Sequence, residues 1–374
     1  MEKPVCMHWT DPLCDKRWSR LVARHPDGSV FHTVSWLKAL HRTYGYRTLV
    51  LTSCSPEQEL VDGIPFCEVN SWVNGCRLVS LPFSDHCQPL LKCREDWSVL
   101  SECLTSHCGR VGWKYVEIRP AKRMTFDRAG TRGLMDRDGP CDEWGSSDDG
   151  RSGGFTKCQT YKLHRIDLRY DLATLFNNFH KSCIRRKIGR AEREGLEYAA
   201  GRSESNLTEF YRMLVLTRRR RGLPPQPMAW FRNLRDCFGE GLTIHIASKQ
   251  GRAIAAVLTL LYKGTLVYKY GCSEAAFHNL GAMPMLFWKT IQSGKYHGAQ
   301  EFDLGRSDMD NPGLSVFKQH LGASGSELAY FRLGRNRVHA SKTSVSRRIA
   351  STVFTRMPGP LAQMAGSVLY RHMG

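Results

Sequence analysis

The chain has 374 residues, with 54 Lys and Arg against 35 Asp and Glu, and a formal net charge of +19. This length predicts two domains, because one domain usually holds about 100–200 residues. No apolar run approaches the ~20 residues of a membrane span, and the first twenty residues lack the apolar core of a signal peptide. We therefore expect a cytoplasmic protein, whose charge attracts nucleic acid, phosphorylated ligands or an anionic membrane face.

The fourteen cysteines show no pattern of metal or disulfide chemistry. The chain has no C-x-x-C and no Cys/His spacing of the zinc-finger type. A disulfide framework suits small secreted domains rather than a long chain without a signal peptide. We expect most of these cysteines to be small buried hydrophobes, and we expect no bound metal.

Residues 1–128 predict an N-terminal lobe of mixed helices and strands. A helix is predicted over 35–43, because Trp36, Leu37 and Leu40 recur at helical spacing. β-branched and aromatic residues predict the strands of this lobe. The remaining predicted elements are strands at 47–53, 60–69, 76–80 and 115–119 and a helix at 96–108.

Residues 129–156 interrupt this pattern. Gly, Asp and Ser dominate the segment, and aromatic residues are almost absent from it. Such a composition buries too little apolar surface to offset the entropy lost on ordering. We therefore predict a flexible linker here, and a domain boundary.

Residues 157–334 predict a C-terminal lobe of the same mixed kind. Asp171 is a candidate N-cap for a helix over 172–194, and Ser203 or Ser205 for a helix ending near 221. Lys263 and Gly264 predict a tight turn between two strands. The other predicted elements are strands at 158–168, 242–248, 253–262, 265–272, 301–304 and 327–333 and helices at 227–238 and 283–297.

Residues 335–374 form a basic tail that contains no acidic residue. Ile349, Val353 and Phe354 predict an apolar stripe opposite the charges, and 361–370 is again apolar. A basic amphipathic tail can lie on an anionic membrane surface. It can equally dock on the protein body, which is the interpretation we favour.

A cluster of charged residues marks the end of the predicted strand at 301–304. Asp303 and Arg306 flank Gly305, a loop follows, and a short apolar helix then carries Lys318. Charged groups at the junction of a strand and a loop often serve a functional site. A structural ion pair between Asp303 and Arg306 is the alternative.

Four sequence segments, in this order, resemble the FemAB-like branch of the GNAT acyltransferase superfamily. They are FHTVSWL (31–37), VSLPFSD (79–85), HKSCIRRKIGRA (180–191) and DLGRSDMDNPGLSVFKQHLGA (303–323). The resemblance spans roughly residues 30–333. It implies an α/β (α+β) fold of two GNAT-like lobes, each a mixed sheet flanked by helices, and an acyltransferase activity.

The resemblance also implies roles for several residues. The pair Phe317–Lys318 matches the family's Phe–Lys pair, whose lysine stabilises the tetrahedral intermediate, so Lys318 is the candidate oxyanion donor. Asp303 and Arg306 would shape the catalytic site. Asp85 would bind or deprotonate the acceptor amine, with His86 as an alternative base. An exposed helix lysine and ordinary turn residues are the alternatives.

The candidate substrate contacts lie on a helix and a strand. The resemblance implies that Lys181, Arg185 and Arg186 hold a phosphorylated acceptor, and guanidinium groups match phosphate geometry. A solvated basic face is the alternative. Tyr268 and Tyr270 alternate along one strand and are expected to line the cleft from one face, although β-propensity also explains them.

The segment from His278 to Met283 bears on the acyl donor. GNAT enzymes that use acetyl-CoA bind its pyrophosphate at a helix start, which here corresponds to Gly281 and Ala282. His278 and Met283 depart from that motif, which weakens the acyl-CoA interpretation and agrees with relatives that use aminoacyl-tRNA. We expect one of these two co-substrates and no permanently bound cofactor.

The hypothesis is an N-acyl- or aminoacyltransferase that acts on an amine of a cell-envelope or polysaccharide precursor. The amine would carry a phosphorylated or glycan-linked group, and tRNA would be a partner if it is the donor. The competing hypothesis is a non-catalytic basic module that binds RNA or an anionic membrane surface. Such a protein would lie peripherally at the inner face of the membrane. The sequence does not fix the oligomeric state.

Overall fold

The computed structural model describes residues 7–72, 75–92, 95–122, 154–334, 354–355 and 357–373. The predicted linker lies almost wholly outside the described residues, as does most of the basic tail, including Ile349 and Val353. The assignment of the linker and of the lobe boundary therefore stays a prediction.

Within the described residues, twelve strands form one mixed sheet, in the order β1-β2-β3-β4-β5-β12-β6-β11-β10-β9-β8-β7. Their bounds are β1 His8–Thr10, β2 Arg47–Thr52, β3 Ile64–Ser71, β4 Gly75–Val79, β5 Val116–Ile118, β6 Phe155–Asp167, β7 Glu197–Gly201, β8 Leu242–Lys249, β9 Arg252–Tyr262, β10 Thr265–Ser273, β11 Glu301–Asp308 and β12 Ser324–Leu333. Strands β4 and β5 are parallel, as are β10 and β11, and the other neighbours are antiparallel. The last strand, β12, joins the two predicted lobes because it pairs with both β5 and β6.

Helices cover both faces of this sheet, which confirms the predicted α/β class. They are α1 Lys16–Arg24, α2 Val34–Tyr44, α3 Glu95–Val111, α4 Leu172–Asn177, α5 Arg186–Arg193, α6 Glu204–Arg220, α7 Met228–Phe238, α8 Ala282–Tyr296, α9 Pro312–His320 and α10 Gly359–Met373. One large core packs α1, α2, α6 and α7 on one face. A second core packs α4, α5 and α8 on the other face of the C-terminal strands.

Several predicted local features are confirmed. The side chain of Asp171 accepts a hydrogen bond from Thr174 N, and that of Ser203 accepts one from Asn206 N, so both residues are N-caps. Lys263 and Gly264 both have positive φ, at 46° and 75°, as a tight turn between β9 and β10 requires. Every described cysteine is a free thiol, and all but Cys14 and Cys158 are partly or fully buried.

The predicted continuous helix over 172–194 is wrong. Helix α4 ends at Asn177, and the chain then re-enters a helical path through a π-helical turn, Lys181–Arg185, before α5. His180 starts this turn, because its Nδ1 accepts a hydrogen bond from Cys183 N at 3.2 Å. Its own backbone N–H bonds His320 O on α9. The helix therefore breaks because of a tertiary contact with α9, which helical periodicity in the sequence does not predict.

The described part of the basic tail docks on the protein body. Tyr46 Oη donates to Tyr370 O at 3.0 Å, and Tyr370 Oη donates to Pro224 O at 3.2 Å. Gly366 lies so close to the chain that a Cβ there would be 2.0 Å from Pro225 O. None of the helices within the described ranges is long and apolar enough to cross a membrane.

Candidate active site

A cavity of about 430 Å³ lies on the face of the sheet that α5, α8 and α9 cover. Aromatic side chains and cationic side chains share its wall. They include Lys187, Arg220, Arg221, Tyr268, His278, Phe317 and Lys318. A concave, mostly apolar space with a few convergent polar groups is the usual form of a ligand site.

Lys318 is the most constrained charged residue of this cavity. Its side chain lies on α9, the residue is only 3% exposed, and its Nζ donates to Gly305 O and Arg306 O, at 2.9 Å each. Burial lowers the pKa of Lys318 to about 8. An ammonium has three N–H groups, so one remains for an acceptor in the cavity.

Gly305 provides one of the two carbonyl groups that hold the Lys318 ammonium in place. The register of β11 against β6 shifts between Asp303 and Arg306, and Gly305 adopts φ +69° within this bulge. Asp303 Oδ1 accepts a hydrogen bond from Gly305 N at 2.7 Å. A Cβ at Gly305 would stand 3.3 Å from the carboxylate of Asp85. The bulge turns two carbonyl groups toward α9, and glycine suits it because φ is positive.

We predict that Gly305→Ala destabilises the protein by about 1–2 kcal/mol, since a residue with a Cβ pays that cost in the left-handed region. Gly109→Ala is the matched control, because Gly109 is a helical residue of α3 with nothing near a new Cβ. The control should be neutral or stabilising. Urea unfolding measures both variants, and equal midpoints would show that the bulge does not require glycine.

Asp303 does not face the cavity beside Lys318. Its Oδ2 lies 2.7 Å from His86 Nε2, and both side chains are buried. Burial would raise the pKa of Asp303, but His86, Arg165 and the Gly305 N–H together hold it below its usual value. Asp303, His86 and Arg165 line a separate cavity of about 200 Å³, which shares no lining residue with the first. Asp303 thus acts on Lys318 indirectly, by fixing Gly305.

Asp85 is joined to a lysine that the sequence did not indicate. Asp85 Oδ2 accepts a hydrogen bond from Lys269 Nζ at 2.8 Å, and the Lys269 ammonium lies 5.3 Å from the ring centre of Phe31. Burial would raise the pKa of Asp85, but Lys269 and Arg306 lower it to about 2. A carboxylate this weakly basic is poorly suited to deprotonate an amine, so the geometry favours charge compensation.

Arg306 links the two halves of the sheet. Its guanidinium donates to Tyr330 Oη at 2.5 Å and lies 4.3 Å from the ring centre of Tyr161. Tyr330 Oη in turn donates to Asp85 O at 2.5 Å. Burial would lower the pKa of Arg306, but Tyr330, Asp85 and Tyr161 raise it. The alternative interpretation, an ion pair between Asp303 and Arg306, is wrong, because the guanidinium of Arg306 contacts Tyr330 and Tyr161 instead.

The expectation that Tyr268 and Tyr270 share a strand face is wrong. A bulge in β10 shifts the register between them, so the side chains point to opposite faces. Tyr268 lines the cavity beside Lys318 and packs against Phe287, with ring centres 5.1 Å apart. Tyr270 Oη accepts a hydrogen bond from Trp230 Nε1 at 2.8 Å in the other core.

The cations predicted to hold a phosphorylated acceptor lie outside the cavity beside Lys318. Lys181, Arg185 and Arg186 do not line it, whereas Lys187 does. The π-helical turn shifts the helical phase, so a straight-helix projection selects the wrong face. Two further cavity cations, Arg220 and Arg221, lie at the C-terminal end of α6.

The start of α8 is a poor pyrophosphate site. Helix α8 begins at Ala282, and its third residue is Pro284, which has no N–H. Met285 N already bonds Gly281 O, so only the N–H groups of Ala282 and Met283 are left. Gly281 has φ +83°, and a Cβ there would be 2.2 Å from Lys187 O, so α5 closes over this loop.

One group of described side chains has metal-ligating chemistry. One ligand atom each from His180, Cys183 and His320 lies within 4.8 Å of the other two. His180 Nδ1 is engaged as an N-cap by Cys183 N, and the rings of His180 and His320 are in contact, with centres 4.3 Å apart. Lys181 and Arg185 belong to the same turn. The group serves to join α9 to the π-helical turn.

Comparison with known proteins agrees with this geometry. Residues 179–318 match the family described as "Acetyltransferase (GNAT) domain". A stretch of 97 residues is 26% identical to UDP-N-acetylmuramoylpentapeptide-lysine N(6)-alanyltransferase of Weissella viridescens. That match covers 26% of this chain and 29% of the alanyltransferase, so it spans less than a third of that relative's length.

Solved structures share the fold over most of the chain. The crystal structure of FemX matches with a TM-score of 0.63 and 13% identity, covering 86% of this chain and 96% of that one. A tandem GNAT protein from the clavulanic acid biosynthesis pathway matches with a TM-score of 0.52 and 11% identity, covering 87% and 98%. These likenesses, the GNAT match and the four sequence segments together confirm the predicted resemblance to the FemAB-like branch of the GNAT superfamily.

Proposed function

We propose that the protein is an N-acyl- or aminoacyltransferase whose reaction takes place in the cavity beside Lys318. The observation that carries this proposal is the buried Lys318 ammonium, fixed by two carbonyl groups with one N–H left for the cavity. Acyl transfer develops negative charge on the carbonyl oxygen. A fixed donor at that oxygen is worth about 2.7–4 kcal/mol of the barrier.

The proposed reaction is direct attack of the acceptor amine on the donor's carbonyl carbon. A C–N bond forms, the bond to the leaving oxygen or sulfur breaks, and the nitrogen loses one proton overall while the leaving group gains one. Lys318 stabilises the oxyanion, and the cavity holds both reactants in contact, which replaces a costly bimolecular encounter. Asp303 and His86 are positioning residues in this scheme, because His86 contacts Asp303, which in turn fixes the backbone of Gly305 next to Lys318.

Aminoacyl-tRNA is the donor that the site favours over acyl-CoA. The first turn of α8 offers two free N–H groups, and α5 covers the adjoining loop. The cations Lys187, Arg220 and Arg221 border the same cavity and suit a larger phosphate-bearing partner. For the acceptor, we propose an amine on a phosphorylated or glycan-linked envelope precursor, by analogy with the named alanyltransferase.

The donor assignment is tested first by calorimetric titration of the purified chain with acetyl-CoA at moderate salt. We expect no saturable binding, because the pyrophosphate site is incomplete. Saturable binding near one per chain would contradict the tRNA assignment and place the donor among acyl thioesters.

A transfer assay then tests the activity itself. Radiolabelled alanyl-tRNA serves as donor and UDP-N-acetylmuramoyl-pentapeptide as the acceptor probe. Replacing Arg220 and Arg221 by alanine should raise the KM for the tRNA several-fold, because each lost contact between a cationic side chain and a phosphate weakens binding. Replacing Arg47 and Arg169, which are 72% and 75% exposed, removes the same charge as a control. RNA binding without transfer from either donor would support the non-catalytic hypothesis.

A further inference from the structure

The docked tail helix α10 presents a second apolar face to solvent. Its inner face, with Ala362, Gly366 and Tyr370, packs on the body. Three outward residues recur at intervals of three and four along the helix: Leu361, Met364 and Val368, which are 54%, 67% and 57% exposed. This spacing is that of one continuous helix face. An apolar stripe that remains in water after docking marks an interaction surface.

An exposed tryptophan adjoins this stripe. Trp72, at the end of β3, is 83% exposed. Its Nε1 lies 3.0 Å from His372 Nε2, which ties it to the C-terminal end of α10. Tryptophan combines a large apolar ring with a polar N–H, so it is enriched where apolar and aqueous phases meet.

The charge of the chain indicates the partner of this surface. Residues 335–374 contain six Arg and one Lys and no acidic residue, and the chain as a whole carries +19. Among the described tail residues, Arg371 is exposed on α10 itself. Apolar side chains flanked by cations complement the headgroups and outer acyl chains of an anionic bilayer. A second copy of so basic a chain would meet charge repulsion.

We propose that the outer face of α10, together with Trp72, docks this protein on the surface of an anionic lipid bilayer. The helix lies on Pro224 and Pro225, close in sequence to the cavity residues Arg220 and Arg221. The bound surface would thus lie beside the α6 end of the cavity. The proposal does not depend on the transferase activity, and its test uses no substrate.

The test is sedimentation of the full chain with vesicles of phosphatidylcholine containing about one-third phosphatidylglycerol, at ~0.15 M salt. The test variant combines Leu361→Ser, Met364→Ser and Val368→Ser. The matched control replaces three exposed apolar residues elsewhere, Val111, Tyr296 and Met309, by serine. We expect the control to bind as the native chain does and the test variant to bind at least ~10-fold more weakly. Circular dichroism and thermal unfolding establish that each variant is folded, and Trp72→Ala provides a second, single-site variant.

Three results would overturn the proposal. The first is no binding of the native chain to these vesicles. The second is equal binding of the test variant, which would assign the interaction to charge alone. The third is a native dimer that becomes monomeric in the test variant, which would make the stripe an interface between two copies.

Discussion

Replacing Lys318 by methionine is expected to lower kcat by about 10²–10³-fold, the usual cost of removing one oxyanion donor. Methionine keeps most of the side-chain volume but donates no hydrogen bond. The donor's KM should change little, because the lost interaction forms only as charge develops on the carbonyl oxygen. Steady-state rates of the alanyl-transfer assay measure both constants.

The control for this variant must separate catalysis from folding. Methionine leaves Gly305 O and Arg306 O without their ammonium partner, which costs about 1–3 kcal/mol of stability. Rates are therefore compared at a temperature where urea unfolding shows every variant to be native. Lys162→Met, at an exposed position on β6, removes the same charge nearby and should retain activity. A Lys318→Met enzyme with native kcat would show that this lysine is structural.

The pH dependence gives an independent test of Lys318. Burial lowers its pKa from 10.5 to about 8, so the charged donor is lost, and kcat falls, as pH rises through about 8. Between that value and 10.5 the unfolded chain binds more protons at this residue than the folded chain, so its contribution to stability rises with pH. A fall in rate over that range therefore does not reflect unfolding caused by Lys318. The residual activity of Lys318→Met should lack this fall.

The sequence predicted the features that depend on short-range patterns. The caps at Asp171 and Ser203, the turn at Lys263 and the α/β class follow from residue type and spacing, and the structure confirms them. A family motif indicates Phe317 and Lys318 as site residues, and both line the cavity of about 430 Å³.

The features that the sequence missed depend on contacts across the sheet. Lys269 donates a hydrogen bond to Asp85, which is 184 residues away in the sequence, and no local sequence pattern predicts this pairing. Two bulges, at Gly305 in β11 and at Lys269 in β10, shift the alternation of side chains, and the second turns Tyr270 away from the cavity that Tyr268 lines. A register shift of one residue reverses the face of every later side chain. Local periodicity fails at the two strands that build the site.

Replacing Asp85 by asparagine is expected to lower the free energy of unfolding by about 3–5 kcal/mol, because removing one partner of a buried pair leaves the other charge uncompensated. The side chains of Lys269 and Asp85 are only 7% and 18% exposed. Asparagine keeps the shape, so the loss measures charge rather than packing. Urea unfolding at neutral pH gives the change.

The exposed pair of Asp167 and Arg169 supplies the matched control. Their side chains are 34% and 75% exposed, so Asp167→Asn should cost less than ~1 kcal/mol. The acid range gives a second comparison. The pKa of Asp85 is lowered from 3.8 to about 2, so its stabilising effect is complete above 3.8 and is lost as pH falls toward 2. Asp85→Asn should be correspondingly less sensitive to acid in that range.

A double-mutant cycle decides whether Asp85 acts through Lys269. If the cost of Asp85→Asn is the uncompensated ammonium, then adding Lys269→Met should recover part of the lost stability, with a coupling of about 1–3 kcal/mol. Additive losses would mean that Arg306, the other cation near Asp85, bears the effect instead. A strong coupling would also explain why Asp85 is a weak base. Its negative charge stabilises the Lys269 ammonium, which lies among the rings of Phe31, Trp36 and Tyr270. The Asp85 carboxylate is also next to Gly305, whose carbonyl oxygen accepts a hydrogen bond from Lys318.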